Sequence, residues 1–305
     1  MRTIDIHTHG LAGFDTGTGK VEDVLGMSEA HGRHGASDII PTIYPGPVEE
    51  MRDNMAAVRA AMERQRSAIS SGAVPGLPKD SSLESPGSEL FGPAVIRGVH
   101  LEGPFLNPAR SGALDRASFV LPAEQILRDL IEGFEDIVRI VTLAPELEGS
   151  IRLIRIMADL GIKVHMGHSD ASYEDAERAF HAGATGITHI FNAMRGFHHR
   201  EPGIAGFGIL NPHIFVEVIA DPFHLRLETI DLLFRVKKPE KIIIISDTVK
   251  DSGVPPCSDA VTNREGTLQG GCMTISESAR RLIALGFDTR AVMSCISSNP
   301  LSCLE

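Results

Sequence analysis

At 305 residues, 42% hydrophobic and 23% charged, the chain has the composition of a soluble globular enzyme and the length for one large α/β barrel or two ordinary domains. A net charge of −11 argues against nucleic acid or an anionic membrane surface as a partner, so any phosphate on a substrate must meet local positive groups. No apolar run approaches membrane-spanning length and the N-terminus lacks a signal-peptide pattern. Cys257, Cys272, Cys295 and Cys303 form no CxxC pair, and they read as reduced thiols of a cytoplasmic protein.

In chain order, β-rich apolar runs are expected at 3–7, 37–42, 95–102, 137–143, 162–168, 186–190, 213–220 and 241–247. Stretches with apolar spacing of three and four lie between them, as in Val48-Met51-Met55-Val58 and Ile151-Ile154-Met157-Leu160. Helix starts are signalled by Pro47 with Glu49 and Glu50, by Ser172 with Glu174 and Asp175, and by Ser276 with Glu277; Gly161 is a stop. Residues 67–93 break this rhythm, being rich in Ser, Gly and Pro without periodicity, and read as an irregular insertion. Strands alternating with helices predict a single (β/α)8 TIM-type barrel over 1–305, with an open doubly wound sheet as runner-up.

The chemistry is expected where these strands end. Residues 95–102 form an apolar strand stopping at Glu102, and a buried carboxylate needs a cation or a donor. His7 and His9 stand at i and i+2, on one face of an extended strand. With His168, His189 and Asp247 they fall at or just past strand ends, the face on which such barrels carry active sites. This predicts one or two divalent ions, zinc or iron being expected among the several that imidazole and carboxylate donors suit, with Glu102 bridging. His7, His9 and Asp247 would form one site, His168 and His189 the other. Asp247 doubles as the proton carrier. His100 shares the parity of Glu102 one layer deeper and is expected to support the ligands. His165 has the parity opposite to His168 and is expected against the helix layer. His31, His34 and His181 are expected at the surface.

The pieces Asp5-Ile6-His7-Thr8-His9-Gly10, Gly98-Val99-His100-Leu101-Glu102-Gly103-Pro104-Phe105, Gly167-His168-Ser169, Thr188-His189-Ile190-Phe191-Asn192-Ala193-Met194 and Arg200-Glu201-Pro202-Gly203 resemble the amidohydrolase superfamily. More narrowly, they resemble the N-acetylglucosamine-6-phosphate deacetylases. The resemblance implies hydrolysis of the acetamide of an amino-sugar phosphate, with Asp247 moving a proton from water to the leaving amine. It implies a phosphate held by Asn192, Ala193, Arg200 and His224, with Arg200 serving a neighbouring subunit of a homodimer. It further implies a β-sandwich beside the barrel, for which this chain has no matching segment.

Three sugar-contacting stretches depart from the family pattern: Gly112-Ala113-Leu114, with Leu114 where a His is usual, Asp221-Pro222-Phe223-His224, and Leu268-Gln269-Gly270-Gly271. Ala113, Leu268, Gln269 and Gly270 are the substrate contacts carried over at these stretches. Two other readings therefore stay open. One is an amidohydrolase of the same mechanism acting on a different N-acyl or cyclic amide. The other is a non-catalytic metal-containing barrel that binds a sugar phosphate, which would have no use for Asp247.

Overall fold

The structure, a computed structural model, describes residues 2–70, 92–253 and 259–305. Eight parallel strands follow one another around a sheet in sequence order. They are β1 (Ile4–Thr8), β2 (Asp38–Ile43), β3 (Val99–Glu102), β4 (Val138–Leu143), β5 (Lys163–Met166), β6 (Ala184–Ile187), β7 (Phe215–Ile219) and β8 (Ile242–Ile245). The seam between β8 and β1 is closed by Asp247 N–H donating to His7 O at 2.9 Å. Asp5 Oδ1 adds to it by accepting from Ser246 N at 3.2 Å and His7 N at 3.3 Å. The expected barrel is thus observed, and the open sheet is not.

Two apolar layers hold it together. Ile4, Ile6, Ile40, Ile140, Phe215, Ile219, Ile243, Ile245 and Cys303 fill the interior, and the helix Ser298–Leu304 plugs the floor beside Cys303. The alternate residues, such as Ile39, Leu101, Val141, Val164, Val218 and Ile244, pack outward against the helical ring. The register of β1 slips between Asp5 and Thr8. There Ile6 joins the interior core and the next residue, His7, also turns to the axis.

The expected 95–102 strand is split. Val95–Ile96 pairs with the base of β2, and the chain then kinks at Gly98 (φ 141°), where a Cβ would meet Ile137 O at 2.4 Å. Residues 67–70 are not irregular; they finish the helix Val48–Ser70, and 71–91 of the expected insertion lie outside the described residues, as does Cys257. The helix Ile275–Ala284 starts earlier than expected. Thr274, rather than Ser276, forms the capping box with Glu277, because its backbone is still extended and its hydroxyl can reach back. Ser172 caps Tyr173–Ala182 as predicted.

His31 corrects the surface expectation. It continues the Val24–Met27 stripe of the helix Val21–Arg33 at helical spacing, and is buried with Nε2 2.9 Å from Thr8 Oγ1. Burial lowers its imidazole to about 3. His181 is exposed and His34 half-exposed, as expected. Among the described residues, no helix is long and apolar enough to cross a membrane.

Beyond β8 a short hairpin, Val261–Thr262 with Leu268–Gly270, folds back over the strand end. Gly271 N donates to Asp247 O at 2.8 Å, and a Cβ on Gly271 would lie 2.0 Å from Ser246 O. Gly271→Ala should therefore cost roughly 1–3 kcal/mol of stability in a urea titration, since backbone must move to admit the methyl. A variant as stable as its parent would show that the hairpin does not fix the end of β8.

Candidate metal centre and active-site pocket

Glu102 is the last residue of β3, and His7 and His9 flank the end of β1. The other three of the six expected ligands share a different device. β5, β6 and β8 end at Met166, Ile187 and Ile245, and in each case the residue two positions on carries a positive φ. These are His168 (46°), His189 (29°) and Asp247 (50°). The left-handed turn swings each side chain over the barrel mouth; for a non-glycine residue it costs energy, and such costs concentrate at functional sites.

The structure brings all six together. His7 Nε2 lies 3.4 Å from His9 Nε2 and 3.3 Å from Asp247 Oδ1, which is 3.6 Å from His9 Nε2. Glu102 Oε1 is 3.1 Å from both His168 Nε2 and His189 Nε2, and those two nitrogens are 3.1 Å apart. The same carboxylate reaches the first group, with Oε1 3.5 Å from His7 Nε2 and Oε2 3.1 Å from His9 Nε2. His7 with His9 and Asp247, and Glu102 with His168 and His189, therefore form two adjoining candidate sites that share Glu102.

The donor set fits a divalent cation. His168 Nδ1 faces Arg110 O at 2.9 Å and His7 Nδ1 faces Glu217 Oε2 at 3.1 Å. A carbonyl or an ionised carboxylate only accepts, so both rings donate from Nδ1 and turn Nε2 toward the carboxylates. Lone pair would face lone pair at hydrogen-bond distance unless positive charge sits between them. The field at His7 agrees: burial alone would lower the imidazole, yet Asp247, Glu102 and Glu217 pull it up to about 10. Burial opposes ionisation of Glu102, but His168 and His7 hold its carboxyl well below the usual range. The spacing fits too, since tetrahedral ligands at zinc distances stand about 3.3–3.4 Å apart.

A pocket of about 270 Å³ opens on this cluster. Of the expected substrate contacts, Ala113, Asn192, Ala193, His224, Leu268 and Gln269 line it, as does the divergent Leu114. Two expected contacts do not. Gly270 is buried behind Gln269, where a Cβ would meet Asp247 O at 2.4 Å. Arg200 stands exposed outside the lining, within the turn bridged by His198 and Glu201. Asp221 orients His224. It accepts from Nδ1 at 2.9 Å and from the His224 and Phe223 amides at 2.8 and 2.9 Å. Burial would raise the Asp221 carboxyl, but His224 and these amides bring it down to about 2.

His100 lies one layer deeper, as expected. Its Nδ1 donates to Ile6 O at 3.1 Å, and Thr142 Oγ1 lies 2.8 Å from Nε2. It touches the ligands only by packing edge-on against His7, with ring centroids 4.6 Å apart. His165 overturns its expectation. The β5 strand ends at Met166, so parity does not carry through to His168, and His165 points into the barrel, with Nδ1 2.8 Å from Glu217 Oε1. Sequence reasoning missed Glu217 altogether, although a carboxylate inside Phe215-Val216-Glu217-Val218-Ile219 carries the signal that drew attention to Glu102. It also missed Tyr44, just past the end of β2, which stacks on His9 at 4.0 Å between ring centroids. Glu146 was passed over as well; it accepts from Asn107, Ser169 and the Asp170 amide and so braces the loop bearing His168.

Comparison with known proteins identifies a family for the chain. A family model described as the amidohydrolase family matches residues 3–301. N-acetylglucosamine-6-phosphate deacetylase from Vibrio furnissii is 34% identical over 252 residues, 83% of this chain and 57% of that protein. N-acetylgalactosamine-6-phosphate deacetylase from Escherichia coli O157:H7 is 30% identical over 296 residues, 92% of this chain and 71% of that protein. The crystal structure of N-acetylglucosamine-6-phosphate deacetylase from Thermotoga maritima superposes with a TM-score of 0.81 at 25% identity, covering 99% of this chain and 77% of that one.

Stripping divalent ions with a chelator should lower the melting temperature. Returning zinc at about a thousandfold over its dissociation constant should restore about 4 kcal/mol of stability. A melting curve indifferent to chelator would remove the metal role from this cluster.

Proposed function

The chain belongs to the amidohydrolase family, and from that premise we propose that it is a metal-dependent deacetylase of N-acetylglucosamine 6-phosphate or a close N-acetylhexosamine phosphate. The observation that carries the proposal is Glu102 shared between two clusters of imidazoles, with Asp247 at the edge of a pocket lined by Asn192, Ala193 and His224. The proposed ligands are His7, His9, Glu102, His168, His189 and Asp247. Zinc or iron, one ion or two, would supply Lewis acidity for the amide carbonyl and acidify a water to a pKa of about 7.

The protein's own part is positioning and proton movement. Asp247 takes a proton from the attacking water and delivers it to the amide nitrogen as the C–N bond breaks. The products are the amino-sugar phosphate and acetate. Its backbone is clamped by the His7 carbonyl and the Gly271 amide, so its carboxylate is held for both duties. Asn192, Ala193 and His224 form the polar wall that would receive the sugar phosphate, and His224 is held by Asp221 for that purpose. Tyr44 and Leu268 close the pocket with apolar surface. Arg200, outside the lining, would act on the pocket of a second subunit.

A second reading is favoured by Leu114, which presents an apolar side chain to the pocket at a place where a hydrogen-bonding one was expected. It is an amidohydrolase of the same mechanism with another N-acyl substrate, because a missing polar partner shifts preference strongly. A non-catalytic sugar-phosphate binder would leave Asp247 without a task.

Acetate release from N-acetylglucosamine 6-phosphate should exceed that from the unphosphorylated sugar. Equal or absent turnover on both would favour the second reading. Asp247→Asn should retain metal and lose at least about a hundredfold in kcat; near-normal turnover would take the proton transfer away from Asp247.

A further inference from the structure

Below the six proposed ligands the barrel axis holds another buried group of metal-ligating side chains, His7, His100 and Glu217. It is no third ion site. Both nitrogens of His100 are engaged, one by Ile6 O and one by Thr142 Oγ1, and His7 already turns Nε2 to the upper cluster. Glu217, on β7 and fully buried, sits at the centre of the donors that remain. Its Oε2 lies 3.1 Å from His7 Nδ1 and 3.4 Å from the His189 amide nitrogen, and its Oε1 lies 2.8 Å from His165 Nδ1. His165 in turn has Nε2 3.4 Å from Cys303 Sγ at the barrel floor.

We propose that Glu217 is the positioning residue of the metal centre, holding the His7 ring in the tautomer that offers Nε2 upward and holding the His189 main chain in its left-handed turn. The inference rests on the metal-dependent reading above. One carboxylate thereby supports a histidine on each side of Glu102. His165 is its counterweight: by donating to the other oxygen it keeps the carboxylate centred between the two ligand-bearing strands, and the Cys303 thiol fixes the far side of the ring. Glu217 touches no pocket surface and moves no proton in the reaction. Its effect runs through the ligands, as carboxylates behind metal-bound histidines do.

The test is Glu217→Gln in the full chain. The amide keeps the shape but offers a donor toward one of the two ring N–H groups, so one ring must turn over or lose its bond. Zinc affinity, measured by chelator competition on folded protein, is expected to fall about ten- to a hundredfold. The visible absorption of the cobalt-loaded protein is expected to change in position or intensity. A destabilising control away from the centre is Lys237→Met, which removes a buried ammonium from the Gly208 carbonyl; it should lower the melting temperature and leave zinc affinity unchanged. If Glu217→Gln does not fold, Glu217→Asp replaces it, keeping the charge but too short to reach both rings, and the same loss is expected. Wild-type affinity and an unaltered cobalt spectrum in a folded Glu217 variant would overturn the positioning role alone. A wild-type protein that binds no divalent ion would overturn it together with the function proposed above.

Discussion

Glu102 is a carboxylate 2% exposed with four imidazole nitrogens gathered within 3.5 Å of its oxygens. An isolated buried charge of that kind is prohibitively expensive, and so is a cage of uncompensated lone pairs. The two costs cancel when positive charge sits among them. This arrangement needs groups from β1, β3, β5, β6 and β8 to meet at one point, and a closed parallel barrel is the architecture that aims every strand end at the same place. The seam at Asp5 and the plug around Cys303 then matter because they keep that point fixed from the side and from below.

The eight strands and the six converging residues could be read in advance because each depended on a local signal: β-branched runs, a carboxylate at a strand end, histidines two residues apart or just past a strand. What escaped notice depended on tertiary neighbours. Alternation predicted His165 outward only if the strand ran on to His168, and it stops at Met166. His31 resembles any helix histidine until Thr8 is known to stand opposite it. Glu217 carries a legible signal, a carboxylate in an apolar run, but stands in mid-strand rather than at a strand end.

The pocket and the cluster differ in how they are held. The cluster is fastened at several depths, by Arg110 O behind His168, by Glu217 behind His7 and by Glu146 behind the His168 loop. The pocket wall consists of loops, among them the hairpin of Leu268–Gly270 and the turn of Gly112, and loops accept change more readily than the elements they join. The departures read in the sequence at Leu114 and Gln269 fall on this wall. A wall residue can change alone, whereas a ligand is tied to the residues behind it.

The shared backbone hand of His168, His189 and Asp247 has a consequence for what this barrel can become. Positive φ is tolerated by histidine, aspartate, asparagine and glycine far better than by other residues. Substitution at these three points is therefore drawn from a short alphabet of hard or borderline donors, and a thiolate arriving there would carry a conformational penalty of its own. The range of ions open to descendants of this sequence is narrowed first by the torsion of three turns, before coordination chemistry makes any selection.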